Sequence, residues 1–170
     1  EEIEAYHNAI AKAEKRYGRR ITLSLSPGGW VASTHVDFLR DVAQMWRISD
    51  DLWDRWEDIF QQFPRLARWA PLQRTGHWAD ADMLPLGHIG LRAERGDDRQ
   101  SRLTLDEQKT LLTLWCMGRS PLMVGGDLPT SDDDTIALLT NPALREVTAG
   151  SANNREIVRE RLFSEWNVED

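Results

Sequence analysis

Apolar residues recur at helical spacing from the first residues of the chain. Ile3, Tyr6, Ile10 and Ala13 fall on one face of residues 2–17, and Gly18 supplies a residue suited to closing such a helix. ITLSLS follows, an alternating run with β-branched residues that ends at Pro27 and predicts a strand from about residue 21. The rhythm then repeats. VDFLRDVA (36–43) predicts a short helix and MWRIS (45–49) a short strand. From about Asp51 a further helix is expected, with Leu52, Trp56, Ile59, Phe60 and Phe63 on one face and an end at Pro64 or, past a turn, at Pro71. HWADADML (77–84) predicts a brief strand and turn, and GLRAERGDDRQSR (90–102) a polar surface loop. Thr104 and Glu107 form a capping box for the helix TLDEQKTLLTLWCMG. PLMVGGDL predicts a strand near 122, and SDDDTIALLT an acidic-capped helix. The remainder, 142–170, is polar and weakly patterned; its last residues, FSEWNVED, read as a further strand or a linker.

Strands near 21, 45, 78 and 122 alternating with helices imply parallel strands joined by right-handed crossovers, hence the α/β class. A closed eight-stranded barrel takes ~250 residues, so four strand–helix units predict a partial TIM barrel, about half of one. Residues 1–141 are expected to form this half-barrel and 142–170 a C-terminal tail leading toward a further domain. Open strand edges invite pairing, so a homodimer completing the barrel is one expectation. Ser26, Asp50, Asp51, Asp80, Asp82 and Asp127 gather just after the strands, where sites of parallel α/β folds are built.

Composition narrows the chemistry. With 170 residues, 41% of them hydrophobic, the chain can bury one ordinary core. A formal charge of −7 with no basic stripe argues against nucleic acid as a partner. No apolar run approaches the ~20 residues of a membrane helix, which argues against a membrane partner. The start EEIEAYHNAI does not read as a signal peptide, and the compartment stays open. Cys116 is the one cysteine, so no internal disulfide can form. His7, His35, His77 and His88 lie on different segments without ligand spacing, so structural or surface roles are expected for them and no metal. SLSPGG is not a nucleophile elbow, and PLMVGGDL carries no dinucleotide or P-loop pattern. Eight tryptophans suit both core packing and stacking on sugar rings.

MWRISDDLWDRW concentrates the candidate residues. Asp50 and Asp51 suit either capping of the following helix or catalysis as a carboxylate, with Arg47 on the same strand holding a hydroxyl or setting charge. Asp80 and Asp82, beside Trp78, suit either a turn or a sugar subsite.

Taken in order, WRISDDLWDRW, GHWADADML and TLWCMGRSPLMVGGDL resemble the α-galactosidase family, glycoside hydrolase family 27, with its bacterial relatives. The family pattern W-R-x-x-x-D-I-x-D-x-W is met by Trp46, Arg47, Asp51, Leu52, Asp54 and Trp56. The resemblance implies Asp51 as general acid/base and Arg47 as a substrate contact. In G-G-W-N-D-P-D-M-L, matched over 76–84 with His77, Ala79 and Ala81 as departures, it places Asp82 and Met83 in the galactose pocket beside Trp78. Gly126 stands where the family usually has Asn. Ser26 takes the place of a glutamate that reads the sugar 2-hydroxyl; a serine there, with the small Gly29 nearby, resembles the α-N-acetylgalactosaminidases. The implied reaction is retaining hydrolysis of terminal α-D-galactosides, with two carboxyl groups about 5–5.5 Å apart and no cofactor. The family's nucleophile, in a K-x-D segment ending the fourth strand, is matched by nothing in residues 1–20. A fragment that is inactive, or that needs a complementing half, is therefore expected. A dimeric carbohydrate-binding half-barrel and an unrelated hydrolase on the same scaffold are the alternatives.

Overall fold

The computed structural model describes residues 1–93, 95–160 and 163–169. Helix α1 (Glu2–Tyr17) closes at Gly18, whose φ of 65° is the left-handed cap its sequence promised. Strands β1 (Ser24–Leu25), β2 (Met45–Arg47) and β3 (Trp78–Asp80) form a parallel sheet in that order. Leu25 is in register with Trp46, Trp46 with Ala79, and Arg47 with Asp80, so the three C-terminal ends come out together. Helix α2 (Val36–Val42) makes the first crossover. β1 begins at 24 rather than 21 because side chains take the preceding donors. The Ile21 N–H bonds Glu14 Oε1 at 2.8 Å, and the Leu23 N–H bonds Gln44 Oε1 at 2.8 Å.

The second crossover departs from the single helix expected from Asp51. α3 (Trp56–Phe60) starts five residues later, and α4 (Gln62–Trp69) is a separate helix. Two carboxylates hold the intervening loop open: Asp82 Oδ2 accepts from the Leu52 N–H at 2.7 Å, and Asp58 Oδ2 from the Trp53 N–H at 3.4 Å. Pro64 marks the break and not the end. It has no N–H to donate to the Phe60 carbonyl, and it sits in the first turn of α4, where none is needed.

The strand expected near 122 is reduced to one parallel bridge, between Leu84 and Val124. Leu84 N–H donates to Met123 O at 2.7 Å, and Gly125 N–H to Leu84 O at 2.9 Å. The pairing stops there because the backbone at Gly126 lies against the backbone of Leu86. Among the described residues the sheet is therefore open, a fragment of a barrel, with Leu122, Met123 and Val124 exposed along one side.

The polar stretch expected as a loop belongs to a two-stranded antiparallel hairpin, with β4 (His88–Ile89) just before it and β5 (Arg99–Gln100) within it. Helix α5 (Leu105–Gly118) carries the expected capping box, with Thr104 Oγ1 accepting from the Glu107 N–H and Glu107 Oε2 from the Thr104 N–H. In α6 (Asp133–Leu139) the cap is Asp132, which accepts from the Thr135 N–H at 2.7 Å. The C-terminal stretch forms α7 (Pro142–Gly150) and an antiparallel pair, β6 (Ala152–Glu160) with β7 (Phe163–Glu169). α7 and β6 pack against α5.

Sheet and helices meet over an apolar core. Trp46 on β2 is fully buried and lies against Trp69 of α4, ring centroids 6.0 Å apart. Ile48, Ala79, Leu84 and Leu86 share one buried cluster with Leu66 of α4 and Leu111, Leu112 and Trp115 of α5. Trp46, Trp69 and Trp115 thus serve packing, whereas Trp30 is 92% exposed. Cys116 is buried, and burial pushes its thiol up to about 11, far from a reactive thiolate.

Candidate active site

The C-terminal ends of β2 and β3 place a guanidinium among carboxylates. Arg47 is the last residue of β2, and only 15% of its side chain is exposed. Its Nη2 lies 2.8 Å from Asp82 Oδ2 and 3.5 Å from Asp51 Oδ1, and it donates to Ser49 O at 3.1 Å. Asp82 has a φ of 90°, unusual for a side-chain-bearing residue. Three bonds hold it there: Asp82 N–H to Asp80 Oδ1 at 2.9 Å, Trp115 Nε1–H to Asp82 O at 3.0 Å, and Leu52 N–H to its carboxylate. These bonds hold the strained backbone in place and with it the carboxylate that meets Arg47. Asp80 is buried behind it. Burial pushes its carboxyl above the ordinary value, against the Asp82 N–H and the Arg47 charge, while the Asp82 charge adds to the rise.

Asp51 stands in front, 63% exposed, in a cleft of about 610 Å³ that Ser26, Arg47, Asp50, Trp53 and Arg95 also line. It caps no helix, since α3 begins at Trp56 with Arg55 before it. Its two oxygens meet two guanidiniums instead, Arg47 at Oδ1 and Arg95 Nη2 at Oδ2, 3.3 Å away. Asp50 is no cap either. Its Oδ1 accepts from the Gly29 N–H at 3.2 Å and its Oδ2 lies 3.9 Å from Arg65, so it holds the SPGGW turn beside the cleft.

Asp54 is the buried anchor of the loop. Arg99 donates to it through Nη2 at 2.6 Å and Nε at 3.0 Å, and the Arg102 N–H donates at 3.0 Å. Burial pushes its carboxyl up, but the Arg99 and Arg102 hydrogen bonds and charges outweigh this and hold it below its ordinary 3.8.

Of the residues singled out in the sequence, Ser26, Arg47 and Asp51 come together in the cleft. Asp82 lies behind them, its carboxylate engaged by Arg47 and Leu52. Met83 packs against Gly125 at the Leu84–Val124 bridge. Trp78 stands apart, because it begins β3 while the cleft lies past its other end; its ring stacks on Arg119, 4.6 Å from the guanidinium carbon. Arg95, Arg99 and Arg102 were not singled out. Their one signal was four arginines and three acidic residues in a segment between a strand and a helix.

A family model described as alpha galactosidase A matches residues 1–149. The chain belongs to the α-galactosidase family, glycoside hydrolase family 27. Alpha-galactosidase 2 of Arabidopsis thaliana is 28% identical over 160 residues, covering 94% of this chain and 36% of that protein. Alpha-N-acetylgalactosaminidase of Homo sapiens is 27% identical over 150 residues, covering 81% and 33%. The crystal structure of a β-L-arabinopyranosidase of family 27 from Geobacillus stearothermophilus is similar with a TM-score of 0.88 at 45% identity, over 96% of this chain and 38% of that one. The chain spans little more than a third of the length of these relatives.

Family membership accounts for the open sheet as part of the family-27 (β/α)8 barrel. At Gly126, where the resemblance leads one to expect Asn, a Cβ would fall 2.0 Å from the Leu86 carbonyl oxygen, so no side chain fits without moving the backbone.

Proposed function

We propose that this chain is the acid/base half of a retaining glycosidase site acting on terminal sugars of galactose configuration. Asp51 is the general acid/base: it protonates the glycosidic oxygen as the first bond breaks and then takes a proton from the attacking water. Arg47 orients Asp51 and contacts substrate, Asp82 aims Arg47 from behind, and Met83 and Ser26 border the sugar. The nucleophilic carboxylate comes from the part of the barrel that this chain does not span, and residues 142–170 lead toward the domain beyond. One observation carries the reading: Asp51 is an exposed carboxylate just past a strand end, met by a guanidinium that is itself fixed by a buried carboxylate.

Two sugars fit a galactose-type ring. α-D-Galactosides are favoured by family membership, and β-L-arabinopyranosides, which share the ring configuration without the hydroxymethyl group, by the 45% identity with the arabinopyranosidase. Room for a 2-acetamido group was the argument from Ser26 and Gly29; Gly29 faces Asp50 and Arg65, which weakens it. The test is a panel of p-nitrophenyl α-D-galactoside, β-L-arabinopyranoside and α-N-acetylgalactosaminide with the protein that contains this chain. Hydrolysis of either of the first two as the best substrate is expected; preference for the third, or turnover by residues 1–170 alone, contradicts the proposal.

A further inference from the structure

The β4–β5 hairpin carries Arg95 into the cleft, and contacts at its base fix where the loop can reach. Arg99 is locked to Asp54 by two hydrogen bonds. His88 meets Asp98 through Nε2 and Thr130 Oγ1 through Nδ1, at 2.6 Å for the latter. The Ala93 N–H closes a turn onto Gly90 O at 2.8 Å. From this base Arg95 touches Asp51 Oδ2, the oxygen that Arg47 does not. The two guanidiniums differ in surroundings. Arg47 is sunk into the wall of the cleft and engaged by Asp82 and Ser49, whereas Arg95 is 65% exposed.

We propose that Arg95 is a specificity-determining residue for the leaving group, donating hydrogen bonds to hydroxyls of a saccharide as it departs from the anomeric carbon. This rests on the assignment of Asp51 as acid/base. An acid that protonates the glycosidic oxygen lies beside that oxygen, so a group on its solvent-facing side lies where the leaving group departs. A guanidinium offers five donors in a rigid fork, matched to neighbouring hydroxyls, while a nitrophenyl group presents none in that place. An ion pair as exposed as Arg95–Asp51 is weak in water, so Arg95 changes partner readily when a saccharide enters.

The test compares kcat/KM of the parent, Arg95→Ala and Arg95→Lys, each in the hydrolase containing this chain. The substrates are the p-nitrophenyl glycoside of the preferred sugar and a disaccharide ending in that sugar. For Arg95→Ala the disaccharide value is expected to fall about tenfold, mostly through KM, and at least fivefold more than the aryl value. Arg95→Lys, with a point charge in place of the fork, should fall between. Equal losses on both substrates, or none on either, overturn the proposal. Asp51→Ala in the same assay separates it from its premise: undiminished disaccharide turnover there removes the acid/base assignment itself, whatever Arg95 does.

Discussion

Asp51 and Asp54 lie three residues apart on one loop, in opposite surroundings. Asp54 has 2% of its side chain exposed and accepts from Arg99 and the Arg102 backbone; Asp51 is 63% exposed and free to change partner. Asp54 fixes the loop that carries Asp51. Asp54 titrates below its ordinary 3.8 when folded, so its contribution to stability is present above that value and is lost as pH falls below it. Asp54→Asn is expected to cost about 3 kcal/mol near neutral pH, because it leaves Arg99 without its charged partner. Urea unfolding at pH 7 and at pH 3 checks this: the gap between parent and variant should narrow at pH 3, and a gap that stays constant contradicts it.

At the scale of elements, local pattern and distant contact divide the structure between them. Helix α5 was legible because Thr104, Glu107 and the apolar face all lie within one segment, and β2 and β3 because their apolar runs are short and bounded. The loop 51–55 was not legible as a loop, since it is held open in part by Asp82, 30 residues away from Leu52. The same holds for the candidate site. Arg47 and Asp51 stood out by pattern, but Arg95 reaches Asp51 across 44 residues through a hairpin whose pairing no local period announces. Gly126 shows a backbone contact overriding strand propensity. Gly126→Ala is expected to destabilise the protein by about 2 kcal/mol, as overpacking does, by forcing the chain away from Leu86. Thermal or chemical unfolding reads it; a variant as stable as the parent would mean that the bridge at Leu84–Val124 yields freely.

For the whole molecule, the proposed account gives the open sheet and the absent nucleophile one explanation. Among the described residues, three parallel strands and a bridge leave two sides of the sheet uncovered, with Ile21 exposed just before β1 and Leu122, Met123 and Val124 exposed near the other end. In the proposed account the remaining barrel strands cover these sides and bring the nucleophile to the cleft. The acid/base then has a role that can be isolated chemically, because removing it harms substrates with poor leaving groups most and opens space for an external nucleophile. The decisive measurement is Asp51→Ala in the hydrolase containing this chain, assayed with a disaccharide and with a p-nitrophenyl glycoside, with and without azide. The account predicts disaccharide turnover reduced at least about 100-fold, and nitrophenyl turnover partly restored by azide with formation of a glycosyl azide of retained configuration. Disaccharide hydrolysis at the parent rate, or no azide effect on an impaired variant, would contradict it.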